Sequence, residues 1–597
     1  MRKKTSAMPT LNWIGKDKVT NHHLEVPFRT LTHSYGFTPE SGQSPTKTDS
    51  GNLIIHGDNL EALKALLPRY EGQVDFIYID PPYNTGEEKW AYNDNVNDPQ
   101  IRKWLGEIVG KQGEDLTRHD KWLCMMYPRM CLLQKLLSST GTICISINFV
   151  HEHAHLRMLC DEIFGQNNFI GELTWESTTQ PINSGSARFN LQQKVEPILF
   201  YAKDKTRLPP FVLEEADNGL CYPHQGKYGP CRYEIIEKSN SGEYARPTMQ
   251  FSILGQRPRK GKRWQIGMDT AQELIRRNRL EIVDGIVKKA IYPEDEQDKR
   301  KYVPFWSHLS AKEVGTAQSG KRLLNTIIGR DTGFDTVKPP QLIRELLKHV
   351  RKDALVLDSF AGSGTTAQAV LEQNAHDGGH RHFILVESMD YAEDITAERV
   401  RRVITGYPHK ETEQVEIYSQ KLTAANLNHA DLLLAKARSV AQARKDDFAR
   451  IKGPTVKDSC LKVVGENTYE KRMPGTGGAF DYYELGMPLF TDDGCLNNEV
   501  GEEYLREYVY YTETRRPLRR KRQEGSGKYL LDTNNDVGYY FYYEKEHPTT
   551  LSLNTLDIVV EEAALYVVYA DICALPADRL KKLNIVFKQI PRDMKHF

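Results

Sequence analysis

Residues 74–83 have the sequence Val74-Asp75-Phe76-Ile77-Tyr78-Ile79-Asp80-Pro81-Pro82-Tyr83. The apolar run before Asp80 predicts a buried strand that ends at that residue. Upstream, Asn52 to His56 predicts another strand, and the leucines between Leu60 and Leu67 recur at helical spacing. Strand, helix and strand in close succession indicate a βαβ unit, and therefore an α/β fold with a parallel sheet.

Asp80-Pro81-Pro82-Tyr83 lies at the carboxyl end of its strand, the edge at which open α/β sheets bind ligands. Two prolines restrict the backbone, so the Asp80 carboxylate and the Pro81 carbonyl have fixed directions. These acceptors suit a group with two N–H donors, such as the exocyclic amine of adenine or cytosine. The Tyr83 ring could stack on a base taken out of the duplex. The structural alternative for these four candidate catalytic residues is a proline turn with a capping Asp.

A second motif, residues 358–366, follows the predicted strand Ala354 to Asp358 and leads into a helix at Thr365. Its sequence is Asp358-Ser359-Phe360-Ala361-Gly362-Ser363-Gly364-Thr365-Thr366. The glycines allow a tight turn and close approach of a ligand to the backbone. The next predicted strand ends at Glu387, where a carboxylate can accept hydrogen bonds from ribose hydroxyls. Together they indicate an adenosine-containing cofactor, the alternative being an ordinary βαβ turn with glycines for packing.

With these two motifs, residues 50–410 resemble the amino-methyltransferases of the β class. In that class the catalytic motif precedes the cofactor motif, and target recognition lies between them. Further stretches resemble the modification (Mod) subunits of type III restriction-modification systems, namely residues 11–16, 21–23, 117–122 and 465–483. The resemblance implies methyl transfer from S-adenosyl-L-methionine to adenine N6 in double-stranded DNA, with base flipping and direct in-line attack.

The resemblance also implies a circularly permuted, Rossmann-like methyltransferase sheet, because the strand before Asp58 and the catalytic strand precede the cofactor strand. Asp58 would lie near the adenine amine of the cofactor, and Lys338-Pro339 would pack on its methionine end. The expected cofactor-binding residues are Asp58, Lys338, Pro339, Asp358, Phe360, Ala361, Gly362, Gly364, Thr365 and Glu387. The sequence departs from the family pattern at Asn148, where Asp is common, and at Val195-Glu196, where His-Glu is common.

The formal net charge is zero, so any contact with DNA needs local basic patches. One patch, between residues 257 and 264, looks inserted between the catalytic and cofactor halves, and a solvated loop is its alternative. The expected DNA-binding residues are Arg257, Arg259, Lys260, Lys262, Arg263 and Trp264. The basic run from Arg515 to Arg522 is equally compatible with DNA contact and with a solvated loop.

Changes in composition divide the chain into predicted segments. These are an N-terminal extension (1–50), the catalytic half of the methyltransferase domain (51–204), an inserted target recognition domain (205–325), the cofactor half (326–409), a helical connector (410–460) and a C-terminal α+β assembly domain (461–597). As the Mod resemblance implies, the last two would mediate homodimerisation and docking of a restriction (Res) subunit.

Other features limit the choice of function. No apolar run is long enough for a membrane span and no signal peptide is recognisable, so we expect no membrane partner and a bacterial cytoplasmic location. The nine cysteines lack the close pairs of a zinc site, and no metal site is predicted. His151, His153 and His155 are expected to be solvated or capping residues.

Several alternative functions remain open. Adenine is favoured over cytosine N4 because cytosine enzymes of the family more often have Ser in place of Asp80. A solitary adenine methyltransferase and a non-catalytic DNA-binding assembly subunit are also possible. An oxidoreductase with a dinucleotide cofactor would leave Asp80 to Tyr83 without a role. A fused restriction enzyme would need a Walker loop, which the second motif is not, because Thr365 stands where the Lys would be.

Overall fold

A computed structural model describes residues 10–84, 118–181, 191–215, 221–241, 246–296, 302–457 and 459–592. Thr85, Gly86 and Thr117, which carry part of the family resemblance, lie outside these ranges. The chain forms two compact units, one of Met1–Pro210 with Ser307–Phe597 and one of Phe211–Trp306. Within the described residues, every helix is too short or too polar to cross a membrane.

The strands before the inserted unit are β1 (Arg29–Thr38), β2 (Gly42–Ser44), β3 (Leu53–His56), β4 (Val74–Ile79), β5 (Leu137–Ser146), β6 (Phe169–Glu176) and β7 (Val195–Ala202). The inserted unit contains β8 (Glu214–Glu215), β9 (His224–Gly226), β10 (Gly229–Ile235), β11 (Glu237–Ser239), β12 (Lys262–Trp264), β13 (Leu280–Val283), β14 (Ile286–Ile291) and β15 (Tyr302–Val303). After it come β16 (His308–Leu309), β17 (Leu355–Asp358), β18 (His382–Glu387), β19 (Tyr407–Lys421), β20 (Arg450–Lys457), β21 (Cys460–Met473), β22 (Phe480–Pro488), β23 (Leu530–Asn534), β24 (Val537–Phe541), β25 (Thr550–Leu551), β26 (Leu565–Ala570), β27 (Ile572–Cys573) and β28 (Ile585–Gln589).

The helices before the inserted unit are α1 (Lys16–Val19), α2 (His22–Glu25), α3 (Asn59–Tyr70), α4 (Arg118–Leu136) and α5 (His153–Cys160). Helix α6 (Met268–Arg276) belongs to the inserted unit. The later helices are α7 (Ala311–Val314), α8 (Ala317–Ile328), α9 (Pro340–Leu347), α10 (Thr365–Asp377), α11 (Glu398–Thr405), α12 (Ala424–Leu427), α13 (Ala430–Ala443), α14 (Glu502–Thr514) and α15 (Ala577–Lys582).

An 11-stranded sheet organises the first unit, in the order β16-β6-β7-β5-β4-β17-β18-β3-β22-β1-β2. Its centre, from β5 to β22, pairs in parallel, whereas β7 and β1 are antiparallel to their neighbours in that centre. Every residue of β4 is buried, as expected for a parallel strand covered on both faces. The α/β prediction is confirmed, while the circular permutation that the family resemblance implies stays a prediction.

The pairing of β4 with β17 brings the two halves of the chain together. Val356 pairs with Phe76 and Leu357 with Ile77, in parallel. Both strands therefore end at the same edge of the sheet, with Asp80 after one strand and Asp358 at the end of the other. On one face, leucines of α3 and apolar residues of α4 pack with Ile77 and Ile79 in the largest apolar cluster, which holds this edge in place.

Some predicted segment boundaries differ from the observed ones. Residues 307–325 do not belong to the inserted unit, because β16 pairs with β6 of the large sheet. The predicted helical connector, 410–460, is wrong in part. Strands β19 and β20 flank its helices and pair with β21, and the charged, mostly exposed sequence of β19 lacks the apolar alternation that indicates a strand.

The predicted N-terminal extension and the predicted C-terminal domain both contribute strands to the large sheet. Strand β1, in the predicted N-terminal extension, pairs with β22, which lies in the predicted C-terminal domain. Asp481 of β22 is buried and accepts hydrogen bonds from the backbone N–H of Thr48, at 2.9 Å, and from its hydroxyl, at 2.8 Å. Residues 461–597 are therefore not wholly separate from the 11-stranded sheet.

Candidate active site

The catalytic and cofactor motifs line one cavity of about 400 Å³ in the first unit. The predicted residues in its lining are Asp80, Pro81, Tyr83, Lys338, Asp358, Phe360, Ala361, Gly362 and Thr365. Its size is within the usual range for small-molecule sites. The structure therefore brings together most of the candidate residues from both halves of the sequence.

Hydrogen bonds hold the tetrapeptide in a defined conformation. Trp122 Nε1 donates to the Pro82 carbonyl at 2.7 Å, which fixes the turn from behind. The Tyr83 hydroxyl donates to Asp80 Oδ1 at 2.7 Å. Burial, with the nearby Asp80 and Glu196 carboxylates, raises the pKa of Tyr83 well above its ordinary value, so the phenol stays protonated and able to donate.

A buried ammonium lies at the centre of the site. Lys338 Nζ donates to Asp80 Oδ2 at 2.7 Å and to the Tyr83 hydroxyl at 2.8 Å, and it lies 3.4 Å from Glu196 Oε2. Burial by itself would lower the pKa of Lys338, but attraction to Asp80 and Glu196 outweighs burial and raises it. Lys338 therefore stays charged and contacts Asp80 of the predicted catalytic motif, a contact that the sequence prediction of cofactor binding did not include.

Glu196 is a site residue that sequence reasoning missed. It is the second residue of β7 and lines the cavity, and its Oε2 lies 3.2 Å from the Tyr83 hydroxyl oxygen. In the sequence it was noted only because Val195-Glu196 departs from the family's His-Glu. The available signal was an acid directly before the apolar run 197–201, since β7 is antiparallel to β5 and begins beside the end of that strand.

The turn after β17 is shaped by two glycines and a glutamate. Gly362 and Gly364 have φ values of 53° and 78°, which favour glycine. Glu387 accepts from the backbone N–H groups of Gly362, at 2.7 Å, and Ser388, at 3.0 Å, so it fixes the turn from the neighbouring strand. Burial raises the pKa of Glu387 to about 7.

The donor set around this turn fits an adenosine-containing cofactor. Asp358 provides a carboxylate acceptor in the cavity lining, and the Phe360 ring and Ala361 methyl provide apolar surface. Burial raises the pKa of Asp358 to about 7, although hydrogen bonds from the Thr366 hydroxyl and the Phe360 N–H oppose this shift. Acceptors beside apolar surface are what ribose hydroxyls and a purine ring require.

Asp58, Pro339, Gly364 and Glu387 lie outside the lining of the cavity. Asp58 caps α3, accepting from the N–H groups of Leu60 and Glu61, and its other oxygen is 3.2 Å from the buried Arg129. Pro339 directly precedes α9. Their predicted contacts with the cofactor stay predictions.

The predicted DNA-binding patch lies in the inserted unit. Arg257 and Lys260 are exposed, Lys262 and Arg263 are half-buried, and Arg259 forms an ion pair with Glu237 at 2.6 Å. Trp264 has no exposed surface, and its Nε1 donates to the Phe251 carbonyl. Its ring belongs to the core of the unit with Ile236, Ile253 and Val287, which corrects its assignment as a DNA contact.

A sequence model described as DNA methylase (N6_N4_Mtase) matches residues 74–398, more than half of the chain, which therefore belongs to this family. The chain is 32% identical over 400 residues to the type III restriction-modification enzyme StyLTI Mod subunit of Salmonella typhimurium, a match that covers 63% of this chain and 57% of that one. It is 30% identical over 429 residues to the type II methyltransferase M.KpnI of Klebsiella pneumoniae, covering 65% and 96% respectively.

The chain spans 57–64% of the length of the three type III Mod subunits that it matches at 29–32% identity. Among solved structures, the complex of M1.HpyAVI with SAM aligns with 58% of this chain and 98% of that one, at 16% identity and a TM-score of 0.26.

The replacement Lys338→Met tests whether the buried ammonium holds the site together. It leaves the Asp80 and Glu196 carboxylates without their shared cation, so we expect a loss of about 3–5 kcal/mol of stability at pH 8. Thermal unfolding at pH 8 should show this loss as a melting temperature below that of the wild type.

Lys352→Met is the matched control, because Lys352 is exposed and its ammonium donates to a backbone carbonyl, that of Asp377, and not to a buried carboxylate. Equal melting temperatures for the two variants at pH 8 would contradict the role assigned to Lys338.

Proposed function

We propose that this chain transfers a methyl group from S-adenosyl-L-methionine to adenine N6 in double-stranded DNA, as the modification and recognition subunit of a type III restriction-modification system. One observation carries the proposal: Asp80, Pro81 and Tyr83 of the tetrapeptide line the same cavity as most residues of the turn from Asp358 to Thr366, whereas Pro82 lies outside the lining. Membership of the DNA methylase family supports the reaction class. The similarity to the StyLTI Mod subunit supports the system.

The methyl donor would be held by residues of the turn after β17. Asp358 and Phe360 line the cavity, and Glu387 fixes the turn through Gly362. When bound, S-adenosyl-L-methionine supplies an electrophilic methyl group on a positively charged sulfur. The buried carboxylates make this edge of the sheet suitable for a cationic ligand.

Asp80 and Pro81 would hold the target amine. The lone pair of an exocyclic amine is delocalised into the base, which makes the nitrogen a weak nucleophile. Acceptors on both amino hydrogens would favour a tetrahedral nitrogen, and fixed positions would supply much of the rate. The Lys338 ammonium and the Tyr83 hydroxyl both donate to the Asp80 carboxylate and hold its orientation, so it is positioned as a hydrogen-bond acceptor for the amine.

The amine is inaccessible in a duplex, so the base would flip out at a cost of a few kcal/mol. The ring of Tyr83 lines the cavity and offers a stacking surface for the base, which would offset part of this cost. Adenine is preferred to cytosine because Asp, and not Ser, occupies position 80, and because three of the matched relatives are type III Mod subunits.

A second candidate is a solitary methyltransferase. The chain covers 96% of the type II methyltransferase M.KpnI, so the shared segment includes nearly all of that protein. In the type III proposal, we assign residues 410–597, the predicted connector and C-terminal domain, to homodimerisation and to docking of a Res subunit. With this assignment, we also propose a bacterial cytoplasmic location.

The reaction is tested by incubating full-length protein with duplex DNA and labelled S-adenosyl-L-methionine, then digesting the DNA to nucleosides. We expect N6-methyladenine as the labelled product. Asp80→Ala should lower the rate by about 100-fold or more, as loss of a fixed polar contact in a transition state does, while calorimetry shows retained binding of the methyl donor.

Asp353→Ala is the control, because Asp353 is exposed and outside the cavity lining. Label confined to N4-methylcytosine would contradict the choice of adenine. Unchanged methylation by Asp80→Ala would contradict the catalytic role of the tetrapeptide.

The DNA contact is tested with Arg257→Ala and Lys260→Ala. Each exposed cation that neutralises a phosphate releases a counterion, so each replacement should reduce the slope of log affinity against log salt by about 1. Fluorescence anisotropy with a labelled duplex at several salt concentrations measures this slope. Arg276→Ala is the control, because Arg276 is ion-paired to Glu273 on α6, and it should leave the salt slope unchanged. Equal slopes for all three variants would contradict DNA contact by Arg257 and Lys260.

A further inference from the structure

A cluster of potential metal ligands lies outside the methyltransferase cavity. It consists of His119 in the first turn of α4, Glu152 directly before α5, and His155 in the first turn of α5. One ligand atom from each residue lies within 4.8 Å of the others. We propose that these three residues bind one divalent transition-metal ion of the zinc type.

The arrangement of the side chains supports this site. Both imidazoles present Nδ1 to the same carboxylate, His119 to Oε1 and His155 to Oε2, each at 2.7 Å. Glu152 and His155 are three residues apart at the start of a helix, a spacing that puts two ligands on one face. His119 comes from a different helix, so the three donors converge from two elements.

Burial of the Glu152 carboxylate also supports a metal ion at this site. The Glu152 side chain has no exposed surface, whereas His119 and His155 are 38% and 34% exposed. A buried carboxylate is costly without a positive partner. An imidazole carries charge only when it is protonated, but a divalent ion is charged at every pH. The exposed edges of the histidines provide a route for an ion to enter.

The residues around the carboxylate resemble the outer shell of a metal site. Asn84 Nδ2 donates to Glu152 Oε1 and, at 3.2 Å, to the Arg118 carbonyl. Asn84 has a left-handed backbone with φ of 57°, and it directly follows Tyr83. Hydrogen bonds of this kind orient ligating carboxylates. An ion here would therefore stiffen the backbone beside the tetrapeptide and the starts of α4 and α5.

The donor set indicates the class of metal. Two imidazoles and one carboxylate suit zinc, cobalt or nickel, whereas magnesium and calcium prefer oxygen ligands alone. Zinc–nitrogen bonds of about 2.0–2.1 Å separate tetrahedral ligand atoms by about 3.3 Å, so small side-chain rotations would complete the geometry. Sequence reasoning missed the site because it grouped His155 with His151 and His153. Instead, His153 pairs with Glu172 at 2.8 Å.

The test loads metal-free, full-length protein with excess Zn²⁺, removes unbound ion by desalting, and measures zinc by mass spectrometry. We expect about one zinc per chain in the wild type. Competition with a chelator should show zinc affinity lower by more than about 100-fold in both His119→Ala and His155→Ala. Loss of an outer-shell partner typically lowers metal affinity by about 10- to 100-fold, and loss of a ligand itself should lower it further. His153→Ala, two residues from His155, should bind as the wild type does.

A wild-type protein that retains no zinc overturns the proposal, as does unchanged affinity in both cluster variants. Loading with Co²⁺ supplies a second measurement on the unmodified chain, since ligation by nitrogen and oxygen gives visible bands without thiolate charge transfer. Thiolate charge-transfer bands would show that cysteines bind the ion and would also overturn the proposal. Because this measurement uses the unmodified chain, it does not depend on whether the variants fold. Neither measurement depends on methyl transfer, so this test and that of the proposed function can fail separately.

Discussion

The parallel pairing of β4 with β17 is the constraint on which the site depends. Two adjacent strands from distant parts of the sequence end at one edge, because Phe76 pairs with Val356 and Ile77 with Leu357. Hydrogen bonds between strands fix the register, and a shift by one residue would turn each side chain to the opposite face. The relative positions of Asp80 and the glycine turn are therefore set by the sheet.

One side chain supplies positive charge between two of the acids at this edge. Lys338 is buried among Asp80, Tyr83 and Glu196, and its Nζ also lies 5.1 Å from the centre of the Tyr83 ring. Attraction to the two acids raises the pKa of Lys338, so the ammonium stays charged. Burial raises the pKa values of Asp358 and Glu387 to about 7.

The sequence predicted the parts of the fold whose signals are local. The apolar run before Asp80 and the one before Asp358 both became buried strands of the sheet. Contacts between distant residues were not predictable in this way. The bond from Lys338 to Asp80 depends on folding, and so does the convergence of His119 on Glu152. Trp264 was misassigned because an aromatic residue beside a basic run can equally belong to a core, which is where β12 places it.

Photolabelling tests the central claim, that the tetrapeptide and the glycine turn form one site for the methyl donor. Full-length protein would be irradiated with radiolabelled S-adenosyl-L-methionine and digested, and the labelled peptides would be sequenced. The account predicts label on peptides that contain Asp80 to Tyr83 or Asp358 to Thr366, and loss of label in the presence of excess unlabelled donor. Competable label confined to other parts of the chain would contradict it.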